Sequence, residues 1–174
     1  MSEATLPPVP PTLKRLIFAT LGLLVILLLI NLPLLTPQAP QGIISLQLAA
    51  TAEQSAQIVQ SWGENSGWAM ASLLLDIPFA VIYVLMLLAL TRYLMSDRPG
   101  IRERQLGRWV RGLFVTAGAC DLGENVCLLG NLSEPADAVS LTATLLAMAK
   151  FTALMLGVAG LVIVRASRRH PLSH

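Results

Sequence analysis

Charge is scarce in this sequence. Asp, Glu, Lys and Arg make up 13% of its 174 residues, while 55% are hydrophobic; a soluble domain carries about 25% charged residues. Mean hydropathy is +0.68. That balance excludes both an ordinary water-soluble globule and a disordered chain. The net charge of +2 offers no basic surface, and no nucleic-acid partner is expected. Histidine occurs only as His170 and His174, in the C-terminal tail, so paired axial ligands for a haem inside the fold are lacking. No spacing of Cys, His, Asp and Glu fits a metal site. No P-loop, dinucleotide fingerprint or Gly-x-Ser-x-Gly elbow is present. Neither a metal nor a cofactor is expected. The two cysteines, Cys120 and Cys127, fall in one predicted helix. Seven residues of helix rise ~10 Å, and a disulfide needs Cα atoms within ~7 Å, so they cannot bridge. They read as buried free thiols, acting as small apolar residues.

What is present is a set of long uncharged runs. After Lys14 and Arg15 comes 16–35, long enough as a helix to cross ~30 Å of hydrocarbon. It is too long for a signal-peptide core and has no small-x-small cleavage site, so it reads as an uncleaved first span. Asn31 and Pro33 fall in its last turns, where Pro33 should bend or end it. Further spans are expected at 68–92, 109–131 and 138–164. The fold class is therefore all-α: a polytopic membrane protein built as a four-helix transmembrane bundle. Residues 1–13 read as a disordered Pro-rich tail, 14–169 as one membrane domain and 170–174 as a second tail.

The connection 36–67 is the longest. It opens with the turn formers TPQAPQG, and then Ile44, Leu46 and Leu48 alternate with Ser45 and Gln47 in a strand-like pattern. Thr51 looks like an N-cap with Gln54 as its capping-box partner, starting a helix over 52–62 that Gly63 stops. Ala52, Ala56, Val59 and Trp62 form its apolar stripe. The amphipathic helix should lie on the membrane surface or cap the bundle.

Basic residues cluster before the first span, between the second and third (Arg92, Arg98, Arg102, Arg104, Arg108, Arg111), and after the fourth (Arg165, Arg168, Arg169). The other two connections hold no Lys or Arg. By the positive-inside rule both termini are expected in the cytoplasm, and the cell inner membrane is the expected location.

Against the apolar background, residues 118–129 read GACDLGENVCLL. Asp121 and Glu124, at i and i+3, share a helix face. Asp76 lies two residues before Pro78, and Lys150 is the lone charge of the fourth span. An intramembrane Asp costs ~2.5–3.5 kcal/mol, whereas each Leu, Phe or Val returns only ~0.3–0.6. The seven large apolar residues of span three return ~3 kcal/mol against roughly 5 or more for its two acids. That helix needs partners. Asp76 and Lys150 lie at overlapping depths, so Asp76, Asp121, Glu124, Asn125 and Lys150 are expected to meet in one buried polar pocket. One cation against three acids leaves a surplus of two negative charges if all are ionised. A proton, a bound cation, an amine-bearing ligand or water must supply the balance.

Intramembrane ionisable groups mark function by default. The leading expectation is a pocket for a small cationic or lipidic ligand, or one that couples protons. A non-enzymatic subunit of a membrane complex is the alternative, with a protein partner docking on the 36–67 loop. A lipid- or isoprenoid-modifying enzyme using Asp121 or Glu124 as acid–base comes third, without a nucleophile constellation to support it. Membrane lipids are the expected surroundings, and small residues such as Gly112, Gly118 and Gly123 would permit a homodimer.

Overall fold

The computed structural model of the chain describes residues 8–96 and 101–166. It is all-helical, with no strand among the described residues. The helices are α1 (Pro11–Asn31), α2 (Ile43–Gln47), α3 (Ala52–Trp62), α4 (Ser66–Met95), α5 (Ile101–Asn131) and α6 (Asp137–Ala166). Four stretches are long and apolar enough to cross a membrane: Pro11–Leu34, Ala52–Met95, Glu103–Asn131 and Asp137–Ile163. Their best windows have mean hydropathies of 2.6, 2.5, 1.3 and 2.0. The lowest belongs to α5, the helix that carries Asp121 and Glu124.

α1 starts at Pro11, within the stretch expected to be tail. Proline suits a first helical turn, where the missing N–H has no partner to lose. Pro33 ends the helix in a 3-10 turn, Leu32–Leu34. Of the tail and basic-loop expectations, residues 1–7, 97–100 and 167–174 lie outside the described residues.

The long helices form an arc: α1 packs on α4, α4 on α5 and α5 on α6. The two ends of the arc, α1 and α6, make slight contact at most. The α5–α6 contact is the most extensive, and its closeness has a cause. At Gly157 a Cβ would collide with the Phe114 ring, and at Gly160 one would lie 2.6 Å from Val110 Cγ2. Without side chains at these two positions, Phe114 and Val110 sit directly on the α6 backbone, as small residues allow in membrane bundles. Gly118 does the same for α5 against Val84 of α4. Gly112 does not: nothing lies within 4 Å of its would-be Cβ.

Two apolar clusters result. One, under α2 and α3, includes Leu34, Leu46, Ile58, Trp62, Leu73 and Leu128. The other, toward the opposite end, is built on Val110, Phe114 and Leu161. Along α4, α5 and α6, Asp76, Asp121, Glu124 and Lys150 fall between the two.

Two expectations for the outer connection are corrected. The 44–48 alternation is not strand-like; Ile43–Gln47 is a single short helix. Five alternating residues also fit a helical turn, and Asn31 decides the matter. Its Oδ1 accepts from Ile43 N at 2.8 Å, and its Nδ2 donates to Gln41 O at 3.2 Å. Gly42 takes φ 60 to make the bend, and a Cβ there would collide with the Asn31 side chain. α3 begins at the Thr51 cap, whose hydroxyl accepts from Gln54 N, and stops at Gly63, φ 50. Its buried stripe is Ser55, Ile58 and Trp62; Ala56 is exposed. The stripe shifted because Ser55 reaches inward to Ser140 Oγ at 2.9 Å. Trp62 Nε1 donates to Leu34 O at 2.8 Å, and Ala52 N donates to Asp137 Oδ1 at 2.7 Å. α3 therefore caps the bundle, tied to the end of α1 and the start of α6.

Candidate functional site

The helical repeat of α5 puts Asp121 and Glu124 on one face, and that face meets α6. Lys150 Nζ donates to Asp121 Oδ1 at 2.9 Å and lies 2.6 Å from Glu124 Oε2. The Glu124 contact is a close ion pair. Asp121, Glu124 and Lys150 are 3%, 0% and 5% exposed. An ion cluster so far from water is favourable only with good geometry, and removing one partner leaves an uncompensated charge. Ala143 and Ala147, both buried on the Lys150 face of α6, leave room for the acids.

Asn125, one residue on, points the other way, to α4. Its Nδ2 donates to Asp76 Oδ2 at 2.8 Å. Asp76 is half-buried, and its carboxylate faces that of Asp121. Pro78 follows it and deprives the Leu74 carbonyl of its helical N–H, which loosens α4 at this level.

All five residues picked from the sequence thus come together, in two linked parts. Asp121, Lys150 and Glu124 form a buried triad in the α5–α6 seam. Asp76 and Asn125 form a second pair, in which the acid has a neutral partner. Three acids and one cation leave two surplus negative charges if all are ionised, and Lys150 already serves Asp121 and Glu124.

A cavity of about 380 Å³ opens beside this network. Asp76, Asp121 and Lys150 reach it; Glu124 and Asn125 stay behind them in the seam. Sequence reasoning missed several wall residues. Ser72, Phe79 and Tyr83 sit on the cavity face of α4, and their spacing around Asp76 at −4, +3 and +7 was the available signal. Tyr83 is 6% exposed and lines the cavity. Asn31 and Gln47 line the capped end. The remaining walls are apolar. The volume falls within the ~300–1,000 Å³ typical of small-molecule sites.

A separate polar knot was also missed. Asn131 Nδ2 donates to Ser140 Oγ at 2.9 Å, and Ser140 meets Ser55. It fastens the α5–α6 turn to the cap and does not reach the cavity. Cys120 and Cys127 are free and half-buried. Among the described residues, no group of three or more His, Cys, Asp or Glu is disposed to hold a metal ion. Comparison with protein-family models, with curated proteins and with solved structures finds no match.

Proposed function

We propose that this multi-pass membrane protein binds a small cationic amphiphile in the cavity beside Asp76. The observation that supports this is a mismatch. Asp76 lines an apolar cavity, and its hydrogen-bond partner is a neutral amide. The one cation nearby is held by two other acids. A positive head group at Asp76 with an apolar body against the Leu and Phe walls satisfies both features. An anionic lipid would add charge of the sign already in excess. Proton coupling is the other way to balance Asp76; the room beside it favours a ligand.

The triad has a different role in this reading. Glu124 is fully buried and does not reach the cavity. That favours Glu124 and Lys150 as a clamp joining α5 to α6. In the same proposal both termini face the cytoplasm of an inner membrane, because basic residues flank the spans at one end, and α2 and α3 cap the other.

The test uses the full chain in phosphatidylcholine nanodiscs, with dodecylamine and lauric acid as probes. Saturable binding of dodecylamine is expected, with none of the acid. Asp76→Asn should weaken it about 10–100-fold, the worth of a charge-assisted contact. Equal binding by Asp76→Asn, or laurate binding as well as the amine, would overturn the proposal.

A further inference from the structure

Resting on the reading of Asp76 as a cation anchor, we propose that the gap between α1 and α6 is a lateral portal to the bilayer. The occupant it fits is a single-chain primary or secondary amine, its ammonium between Asp76 and Asp121 and its chain lying in the gap.

The walls come first. Leu24 and Leu28 of α1 and Phe151 and Leu154 of α6 line the same cavity, although the two helices make slight contact at most. Leu28 is 58% exposed and Phe151 42%, so the walls continue outward onto the lipid-facing surface. Toward the capped end the cavity is roofed by Ile43, Ile44 and Gln47 of α2, held by the two Asn31 hydrogen bonds. The way in from water at that end is covered. α1 and α6 do not pack extensively on each other, and in this proposal their side is the open one.

The chemistry of the occupant follows from what each part of the cavity lacks. A hydrocarbon chain moving from lipid into a Leu- and Phe-lined gap changes one apolar surrounding for another, because lipid tails are as apolar as leucine. The chain therefore supplies orientation, and the head group supplies selectivity. At the polar end, Asp76 Oδ2 is taken by Asn125 and Asp121 Oδ1 by Lys150. The two carboxylates face one another at the cavity wall, and a cation placed between them would meet both. Ionised carboxylates have no proton to donate. With Lys150 engaged by Asp121 and Glu124, an ammonium bearing N–H groups can donate to the two facing carboxylates; a quaternary ammonium brings charge without a donor. The buried Tyr83 hydroxyl lies on the same wall, beside the Asp121 carboxylate.

The experiment is photolabelling of the wild-type full chain in phosphatidylcholine nanodiscs. The probe is hexadecylamine with a diazirine at mid-chain, and labelled residues are read by mass spectrometry. The expected label falls on 24–28 of α1 and 151–154 of α6, and it disappears in Asp76→Asn. Unlabelled hexadecylamine should compete at least tenfold better than hexadecyltrimethylammonium. Leu28→Trp, which narrows the gap, should slow the onset of labelling several-fold in a time course. Asp76-dependent label on α3, or on the outer faces of α4 and α5, would overturn the portal and leave the anchor standing. Equal competition by the quaternary amine would overturn the head-group class. Label that is indifferent to Asp76→Asn would remove the anchor itself, and the portal with it.

Discussion

α5 and α1 run through the same bundle but are built in opposite ways. The apolar window of α5 is 39% buried, and that of α1 is 6% buried. α5 is the least apolar span and carries the buried acids Asp121 and Glu124; α1 is the most apolar and buries only Leu13 and Thr20. Thr20 spends its hydroxyl on its own helix, donating to Leu16 O at 2.8 Å. α5 is thus held along its length, by glycine-permitted contact with α6 and by the Lys150 clamp. α1 is held by its contact with α4 and, at its end, through Asn31 and the Leu34 carbonyl. A polar helix in lipid must be gripped by its neighbours, whereas an apolar one can stand loosely at the edge. In this molecule the loosely held helix is a wall of the cavity.

Substitutions should separate the two regions by size of effect. Lys150→Met should do the most damage, because it strands Asp121 and Glu124 without their cation. A loss of about 3–5 kcal/mol is expected, read as failure to recover monodisperse protein or as a collapsed melting temperature. Adding Asp121→Asn and Glu124→Gln to Lys150→Met should recover most of that loss, since a neutral set leaves no charge stranded. Failure of the triple variant to recover would mean that the charges do more than compensate one another.

Next comes Gly157→Val, which drives a side chain into the Phe114 ring. Overpacking of this kind costs about 1–3 kcal/mol, measurable as a lower melting temperature in nanodiscs. Trp62→Phe removes one buried hydrogen bond to Leu34 O. It should cost about 1–3 kcal/mol, and hydrogen exchange should show the end of α1 and α2 opening faster while α5 stays protected. The smallest effect belongs to Val25→Ala on the lipid face of α1, where Val25 is 54% exposed. A change within about 0.5 kcal/mol is expected. A large loss there would show α1 to be packed more firmly than its burial indicates.

Much of the architecture was legible because the membrane imposes long periodic signals. Spans read from length and hydropathy, and the Thr51–Gly63 helix read from its cap and stop, depend on residues close in sequence. The five polar residues stood out because hydrocarbon makes each of them costly. Which acid receives Lys150 was not legible, since Lys150 and Asp121 are 29 residues apart and their meeting depends on how α6 rotates against α5. Nor was the shape of Ile43–Gln47. Its conformation is set by Asn31, 12 residues earlier, and five residues hold too short a pattern to distinguish a helical turn from a strand. The cavity itself follows from how slightly α1 touches α6, and no local pattern in either helix encodes that.

The division of labour between Glu124 and Asp76 can be tested with two conservative variants in identical nanodiscs. Thermal unfolding of Glu124→Gln should fall clearly below wild type, because it removes half of the clamp on Lys150. Asp76→Asn should melt at or above wild type, since it keeps an acceptor for Asn125 and relieves the facing charge of Asp121. An Asp76→Asn melt as low as that of Glu124→Gln would contradict the account, making Asp76 one more strut of the fold and not the anchor of a binding cavity.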